Sequence, residues 1–179
     1  GLMKAAATVG DPVPWATLEL LAVHQGLSRD ELTRATALLT ELHFMTGSAG
    51  QELRFVHPLV REVAYRLQST EERRAAHRLA AVAYEERYQN TKTQLGAVLF
   101  RHLREAGDDA AAREAAVHAV RRATALHDHK GALALANGAL ALADDDTRDA
   151  RLARFELLLA RERIHDARGR RTEQKNDIK

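Results

Sequence analysis

The residues whose types and spacing could do chemistry lie in the stretch RFVHPLVREVAY, residues 54–65. A short apolar segment there runs directly into a helix that starts at His57 and Pro58. Helix starts carry free N–H groups and the positive end of the helix dipole, so they attract anions, and proline suits the first turn. A histidine at this position can donate a hydrogen bond to a phosphate. A phosphate contact at His57 is therefore one interpretation of this stretch.

A plainer interpretation competes with this one. His57 can simply end a strand and cap the helix, and the residues alone favour that capping role. Arg61, one turn further on, can add a second contact to an anion or instead pair with Glu62 or Glu31. The chain has no GxxxxGK[ST] sequence, so the loop that cradles phosphates and its magnesium site are absent. By itself the chain should bind nucleotide weakly or not at all.

No other group of residues predicts catalysis or metal binding. His127-Asp128-His129 would place its two rings on different faces of a helix without an evident third ligand, so we interpret it as a polar turn and predict no metal site. No Ser/His/Asp set and no plausible carboxylate pair is recognisable, so we predict no enzymatic activity and no cofactor for this chain. The absence of cysteine suits a reducing cytosol, and we expect a cytoplasmic protein.

The elements that position His57 begin with three helices. The first covers residues 1–9 and the second starts near Pro14. A capping box formed by Ser28 and Glu31 opens the third. Apolar residues follow on one face of this third helix, namely Leu32, Ala35, Leu38, Leu39 and Leu42.

A β-hairpin and a fourth helix complete this half of the chain. Residues 46–51 form a polar tip rich in Gly and Ser between two short apolar segments, which is typical of a hairpin. The helix that begins at Pro58 follows, with Leu59, Val63 and Leu67 four residues apart. The order of elements over residues 1–68 predicts a winged helix-turn-helix domain.

The second half, residues 69–168, carries only helical signals. A capping box from Ser69 to Glu72 opens it, and alternate helices begin near residues 71, 109 and 147 and near 94 and 130. A spacing of roughly 36 to 38 residues is typical of helix-pair repeats of the tetratricopeptide kind. Such pairs bury one face by stacking, and the array offers a surface for binding. Residues 169–179 lack apolar periodicity, and we expect a disordered tail.

Charge argues against duplex DNA as a direct ligand. Residues 1–68 carry six basic and seven acidic groups, and residues 69–179 have a net charge of +3. The helix in the position of a recognition helix, residues 28–43, holds Arg29 and Arg34 against three acids. Duplex binders usually carry a clear basic excess. No apolar run approaches the roughly 20 residues that a membrane span requires, so we expect no membrane partner either.

The chain resembles the bacterial STAND signal-transduction ATPases. Residues 1–68 look like their winged-helix domain, and the resemblance is most specific at Phe55, His57, Leu59, Arg61 and Ala64-Tyr65. The continuation from STEERRAAHRLAAVAYEERY to about residue 165 is similar to their tetratricopeptide-like arm. The large Trp and Tyr residues of a full tetratricopeptide consensus are mostly missing, which indicates a divergent arm. In this family a P-loop nucleotide-binding domain precedes the winged helix, and many members are LuxR-type transcriptional activators.

The resemblance implies a regulatory role. His57 would contact the β-phosphate of ADP on an upstream nucleotide-binding domain and hold the closed, inactive state, with Arg61 as a second nucleotide contact. ADP and ATP would thus be cofactors of the parent protein, a transcriptional regulator. The arm would bind an inducer, a protein partner or another protomer, which includes self-association.

Two other interpretations remain open. One is a free-standing winged-helix DNA-binding regulator with a helical sensor domain, which tight and steeply salt-dependent binding of duplex DNA would favour. The other is a purely structural scaffold of helix pairs, which the absence of a winged-helix half would favour.

Overall fold

The protein is mainly helical, as its sequence predicts. The computed structural model describes residues 1–87, 92–143, 147–167 and 169. Within these ranges it contains nine helices and one two-stranded antiparallel sheet. The chain divides into two compact units, Gly1–Arg87 and Tyr88–Lys179, which we call unit one and unit two.

Unit one is built around its first helix. Its elements are α1 (Leu2–Val9), α2 (Trp15–His24), α3 (Arg29–Glu41), β1 (Met45–Thr46), β2 (Arg54–Phe55), α4 (Pro58–Arg66) and α5 (Thr70–Arg87). α1 packs against α2, α3, α4 and α5. Six of its eight residues are buried, so this short apolar helix forms the centre of the core.

The predicted hairpin is confirmed, and it also pairs with the segment between α1 and α2. Met45 of β1 lies opposite Phe55 of β2. The amide of Val13 donates to the carbonyl of Leu53 at 2.8 Å, and the amide of Leu53 donates back at 2.9 Å. All four side chains are buried, so the hairpin turns an apolar side to the core. The contact with Val13 is not evident from the sequence.

Both predicted capping boxes are formed. The amide of Ser28 donates to Glu31 Oε2 at 2.8 Å, and the amide of Glu31 donates to Ser28 Oγ at 3.3 Å. At the start of α5 the amide of Ser69 donates to Glu72 Oε2 at 2.7 Å, and the amide of Glu72 donates to Ser69 Oγ at 3.1 Å. Each box satisfies two amides that the helix's own carbonyls cannot reach.

Glu72 also links α5 to α1. Its carboxylate lies 3.3 Å from Lys4 Nζ. The hydrogen bond from the Ser69 amide, followed by the bond from Lys4, lowers the pKa of Glu72. A lowered pKa in the folded state means that the ionised carboxylate stabilises the fold.

We therefore expect Glu72→Gln to lower the melting temperature of unit one at neutral pH but not in strong acid. The stabilisation from Glu72 is present above its unfolded pKa, about 4.3, and is lost as the pH falls through the lower, folded value. Gln can still close a capping box, so the change isolates the charge. The fluorescence of Trp15, the only tryptophan of the chain and buried in unit one, reports the melting.

The control is Glu71→Gln, which removes the same charge from the same helical turn. It should shift the midpoint less, because Glu72 rather than Glu71 closes the box and pairs with Lys4. A Glu72→Gln deficit of constant size from neutral pH into strong acid would contradict this assignment.

Within the described residues, unit two consists of four helices, one of which is central. They are α6 (Lys92–Ala106), α7 (Asp109–Ala125), α8 (His129–Leu140) and α9 (Arg148–Ala167). α7 packs against α6, α8 and α9. Gly107, with φ at 81°, follows α6 as predicted. Asp108 then caps α7 by accepting a hydrogen bond from the Ala111 amide at 3.1 Å.

Small side chains let these helices approach closely. The buried face of α7 includes Ala112, Ala115, Ala116 and Ala119. A Cβ atom placed on Gly96 of α6 would lie 2.7 Å from the amide nitrogen of Ala119 and 3.0 Å from the carbonyl oxygen of Ala115. The two backbones are therefore in contact, and only glycine fits at position 96.

The compact units do not divide where the sequence places the domain limit. α5, which the sequence assigns to the arm, packs against α1 and α2 in unit one. The hydroxyl of Tyr65 in α4 also lies 2.9 Å from Nε2 of His77 in α5. A capping box marks where a helix begins but not which core it joins. The limits 1–68 and 69–168 stay predictions, and the tail over 169–179 lies outside the described residues apart from Gly169.

Candidate functional site

His57 is exposed and caps α4. Its backbone is extended, and its Nδ1 accepts a hydrogen bond from the Leu59 amide at 3.1 Å. A neutral imidazole has one acceptor and one donor nitrogen, so this bond places the proton on Nε2. The capping role that the residues alone favour is confirmed. The described residues provide no second partner for the ring, so the Nε2–H donor can serve a ligand outside the chain.

The backbone of this turn offers less to an anion than a typical helix start does. The Leu59 amide is already bonded to His57, and the Val60 amide donates to the His57 carbonyl at 3.0 Å. Pro58 has no N–H group. An anion at this turn would therefore depend on side chains, with His57 as the main donor. The sequence-based expectation of free backbone amides at this helix start is therefore wrong for Leu59 and Val60.

Arg61 joins α4 to α1. It is half-buried, and its Nε donates to the carbonyl oxygen of Ala7 at 3.2 Å. The alternative pairings are not formed, because Glu62 pairs with Arg66 and Glu31 closes the capping box of α3. In this position Arg61 orients α4, and its contact with a nucleotide stays a prediction.

A row of large apolar side chains lies on the solvent-facing side of α4 and continues one residue past its end. Leu59, Val63 and Leu67 are 59%, 48% and 65% exposed, whereas Ala64 is buried. We call these three residues the α4 face. An amphipathic helix normally turns its apolar side to the core. A contiguous exposed face of this kind, beginning two residues after His57, is typical of a surface that another protein covers.

An apolar cavity of about 400 Å³ adjoins the α4 face. It lies between the start of α1, the second half of α3 and α4, and its lining includes Leu2, Ala35, Leu38, Leu39, Ala64 and Leu67. Leu38 and Leu42 of α3 are also strongly exposed. Grooves between helices commonly accept an apolar helix of a partner. The cavity and the α4 face together offer such a surface.

The outer surface of α3 is acidic and apolar rather than basic. Arg29 forms an ion pair with Glu19 of α2, with Nε and Oε1 3.0 Å apart. Arg34 is the other basic residue of α3. The amide and then the hydroxyl of Ser28 lower the pKa of Glu31, so this carboxylate is ionised at neutral pH. The exposed residues also include Asp30 and Glu41. This surface lacks the basic excess that binding to duplex DNA requires.

His127 and Asp128 lie in the turn between α7 and α8, as predicted, and His129 is the first residue of α8. His127 has a φ of 59°, and Asp128 caps α8 through a hydrogen bond from the Gly131 amide at 2.8 Å. The two imidazole rings meet edge to face with centroids 6.1 Å apart. Across the ranges that the structure describes, no group of three or more His, Cys, Asp or Glu side chains could hold a metal ion.

The same described ranges contain no helix that is both long enough and apolar enough to cross a bilayer. Function therefore has to be inferred from His57, the α4 face and the adjoining cavity. No family model, no curated protein and no solved structure matches this chain.

Proposed function

We propose that unit one is built on a winged helix-turn-helix domain and that unit two belongs to a tetratricopeptide-like arm. Support for the first comes from the order of three helices, hairpin and helix, and from the isolated antiparallel bridge between Val13 and Leu53 beside the hairpin. Support for the second comes from α7, which contacts α6 and α8 and also α9, the helix two places on. Stacked helix pairs require such contacts.

The function that fits best is the regulatory part of a STAND-type ATPase that acts as a transcriptional regulator. The winged helix holds a nucleotide-binding domain in its ADP-bound, closed state. The arm binds an inducer, a partner protein or a second protomer. Such a ligand shifts the balance between closed and open states only by the difference in its affinity for the two.

The observation that carries this proposal is the exposed Nε2–H donor of His57 next to an apolar surface. The cap bond to the Leu59 amide orients the imidazole, so the donor is held in place before a ligand arrives. A hydrogen bond from this donor to a phosphate is charge-assisted and hence strong. The α4 face lies on the same helix, so a single element can contact both the nucleotide and the domain that carries it.

A protein partner suits this surface better than duplex DNA does. The exposed part of α3 combines Leu38 and Leu42 with several carboxylates. Carboxylates would repel the phosphates of DNA, whereas exposed leucines are stabilised by burial against another apolar surface. The free-standing DNA-binding regulator is therefore the weaker of the two functions.

His57→Asn in the full-length parent protein tests the proposal. Asn is a good N-cap residue, so α4 should remain capped, while the Nε2 donor is lost. A hydrogen bond to a charged group contributes roughly 1.5–3 kcal/mol, so we expect ADP to dissociate about 10 to 100 times faster and basal activity to rise. The release rate of a fluorescent ADP analogue measures the effect.

His43→Asn is the matched control. His43 is another exposed histidine of unit one, with a φ of 60° that Asn tolerates well. This variant should release ADP at the parental rate, and the melting temperature of unit one should be nearly unchanged in both variants. Parental ADP retention by His57→Asn would refute the nucleotide contact.

A further inference from the structure

Arg113 in the central helix of unit two is buried, and the described residues provide no counter-ion for it. The residue is only 3% exposed, and its Nη2 donates to the carbonyl oxygen of Ala143 at 2.6 Å. Its Nη1 is buried and has no hydrogen-bond partner among the described residues. None of the described carboxylates pairs with it either. Arginine keeps its charge at physiological pH, and a buried charge without a partner destabilises the fold.

Arg113 also forms part of the wall of a cavity of about 550 Å³ between α7 and α9. Small side chains such as Ala111 and Ala150 line the cavity, together with the carboxylates of Glu114, Asp149 and Asp108. Asp108 is already engaged as the cap of α7. Glu114 and Asp149 are exposed, and neither has an ion-pair partner within the described ranges. The cavity lining thus combines a buried cation with two exposed carboxylates that have no ion-pair partner within the described ranges.

We propose that this cavity binds a small zwitterion of the α-amino acid type, with its carboxylate on Arg113 and its ammonium group on Glu114 and Asp149. A guanidinium group matches the planar geometry of a carboxylate, which would supply the counter-ion that the described residues do not provide and an acceptor for Nη1. Glu114 and Asp149 repel a purely anionic ligand such as phosphate and accept hydrogen bonds from an ammonium group. Nη1 is closed to solvent, so the guanidinium turns when the ligand enters.

Unit two alone carries this site, which needs neither His57 nor a nucleotide-binding domain. The ligand class therefore goes beyond the role proposed for unit one. Loss of the amino acid site would leave the proposed role of His57 intact, and the reverse also holds.

Thermal melting of the whole chain with defined probes tests the site. The twenty L-amino acids are added one at a time, alongside sodium acetate, methylammonium chloride and inorganic phosphate. Ligands that bind the folded state raise its melting temperature in a saturable manner. We expect at least one amino acid to do so, and acetate or methylammonium to act at least ten times more weakly because each supplies only half of the contacts.

Three variants locate the site. Arg113→Met should abolish the response, whereas Arg122→Met, on the same helix but outside the cavity lining, should retain it. Glu114→Gln with Asp149→Asn should weaken amino acid binding at least ten-fold and leave the weak response to acetate in place. Arg113→Met should also melt at or above the parental temperature without ligand, because it removes an unpaired buried charge.

Five results would overturn the proposal, and the first four concern the response to ligands. They are the absence of any response to the amino acids, a stronger response to phosphate than to every amino acid, a full response in Arg113→Met, and a full response in the variant that lacks both carboxylates. The residues Asp144-Asp145-Asp146 lie outside the described residues. If Arg113→Met lowered the melting temperature and replacement of these three residues by Asn lowered it equally, Arg113 would be a structural partner of that run, which is the fifth result. Should Arg113→Met not fold, the proposal is still tested by the response of the parent protein to the ligands and by the variant that lacks both carboxylates.

Discussion

Gly96→Ala is expected to destabilise unit two by about 2 kcal/mol, although alanine is the better helix former. The added methyl group would lie 2.7 Å from the Ala119 amide nitrogen and 3.0 Å from the Ala115 carbonyl oxygen. Both are backbone atoms, so no side chain can rotate away and α6 must separate from α7. Such overpacking costs up to about 3 kcal/mol, which exceeds the gain of about 1 kcal/mol from helix propensity.

Gly138→Ala is the matched control for this change. Gly138 also lies inside a helix, but the nearest atom to its added Cβ is the tip of the Phe100 ring at 3.3 Å. A ring edge can shift by a few tenths of an ångström, so this variant should be close to neutral. Urea unfolding followed by far-UV circular dichroism measures both, while Trp15 fluorescence reports unit one, which should not change. A Gly96→Ala protein as stable as the parent would show that the helix backbones are not in contact.

Replacement of the α4 face by Gln at positions 59, 63 and 67 is expected to release ADP at least ten times faster from the full-length protein. Each side chain is about half exposed in unit one. Covering the remainder against a nucleotide-binding domain should stabilise the closed state by about 1 kcal/mol per residue. The three together correspond to roughly a hundred-fold effect if they are completely covered. Gln is a good helix former, so α4 should persist.

The appropriate comparison is between two single changes, Val63→Gln and Val23→Gln. Val23 is a similarly exposed valine of unit one, on α2 rather than α4. Both variants should have a free energy of unfolding within about 0.5 kcal/mol of the parent value, as surface substitutions usually do. Only Val63→Gln should accelerate the release of the ADP analogue. Equal rates for the two variants would show that the α4 face is not the surface that the nucleotide-binding domain covers.

Local chemistry explains why most helix starts could be predicted. Ser28 and Glu31 satisfy amides within their own helical turn, and Asp108 and Gly107 act over equally short distances. Signals of this kind depend on neighbouring residues alone and do not require knowledge of the core. The hairpin is predictable for the same reason, because its Gly- and Ser-rich tip separates two apolar segments.

The direction of apolar faces could not be predicted in the same way. The spacing of Leu59, Val63 and Leu67 shows that one side of α4 is apolar, but periodicity does not tell whether the core or a partner covers that side. Here α1 contacts α4 through the side that carries Ala64, and the larger residues face solvent. The sequence gives one indication of this direction: Ala64, on the side that packs against the core, is small, whereas the residues on the opposite side are large.

The candidate site residues also differ in whether their contacts are local, and hence predictable, or depend on distant parts of the chain. The capping role of His57 follows from its place between a strand and Pro58, whereas the engagement of Arg61 with the Ala7 carbonyl depends on a distant part of the chain. The burial of Arg113 likewise results from the central position of α7 among three helices. Arg113 is one of three arginines in this alanine-rich helix, and the sequence gives no indication that it is the buried one, because exposed arginines in such helices are common.

The pairing of Val13 with Leu53 also affects how unit one can form during translation. These residues exchange both backbone hydrogen bonds, although α2, α3 and β1 separate them in the chain. While Leu53 is still inside the ribosome, the segment between α1 and α2 lacks the backbone partner of Val13. Contacts between residues far apart in sequence form late, since the intervening chain must first be ordered. The nascent unit should consequently acquire its core in one late step, and chaperones would meet its apolar helices before that step.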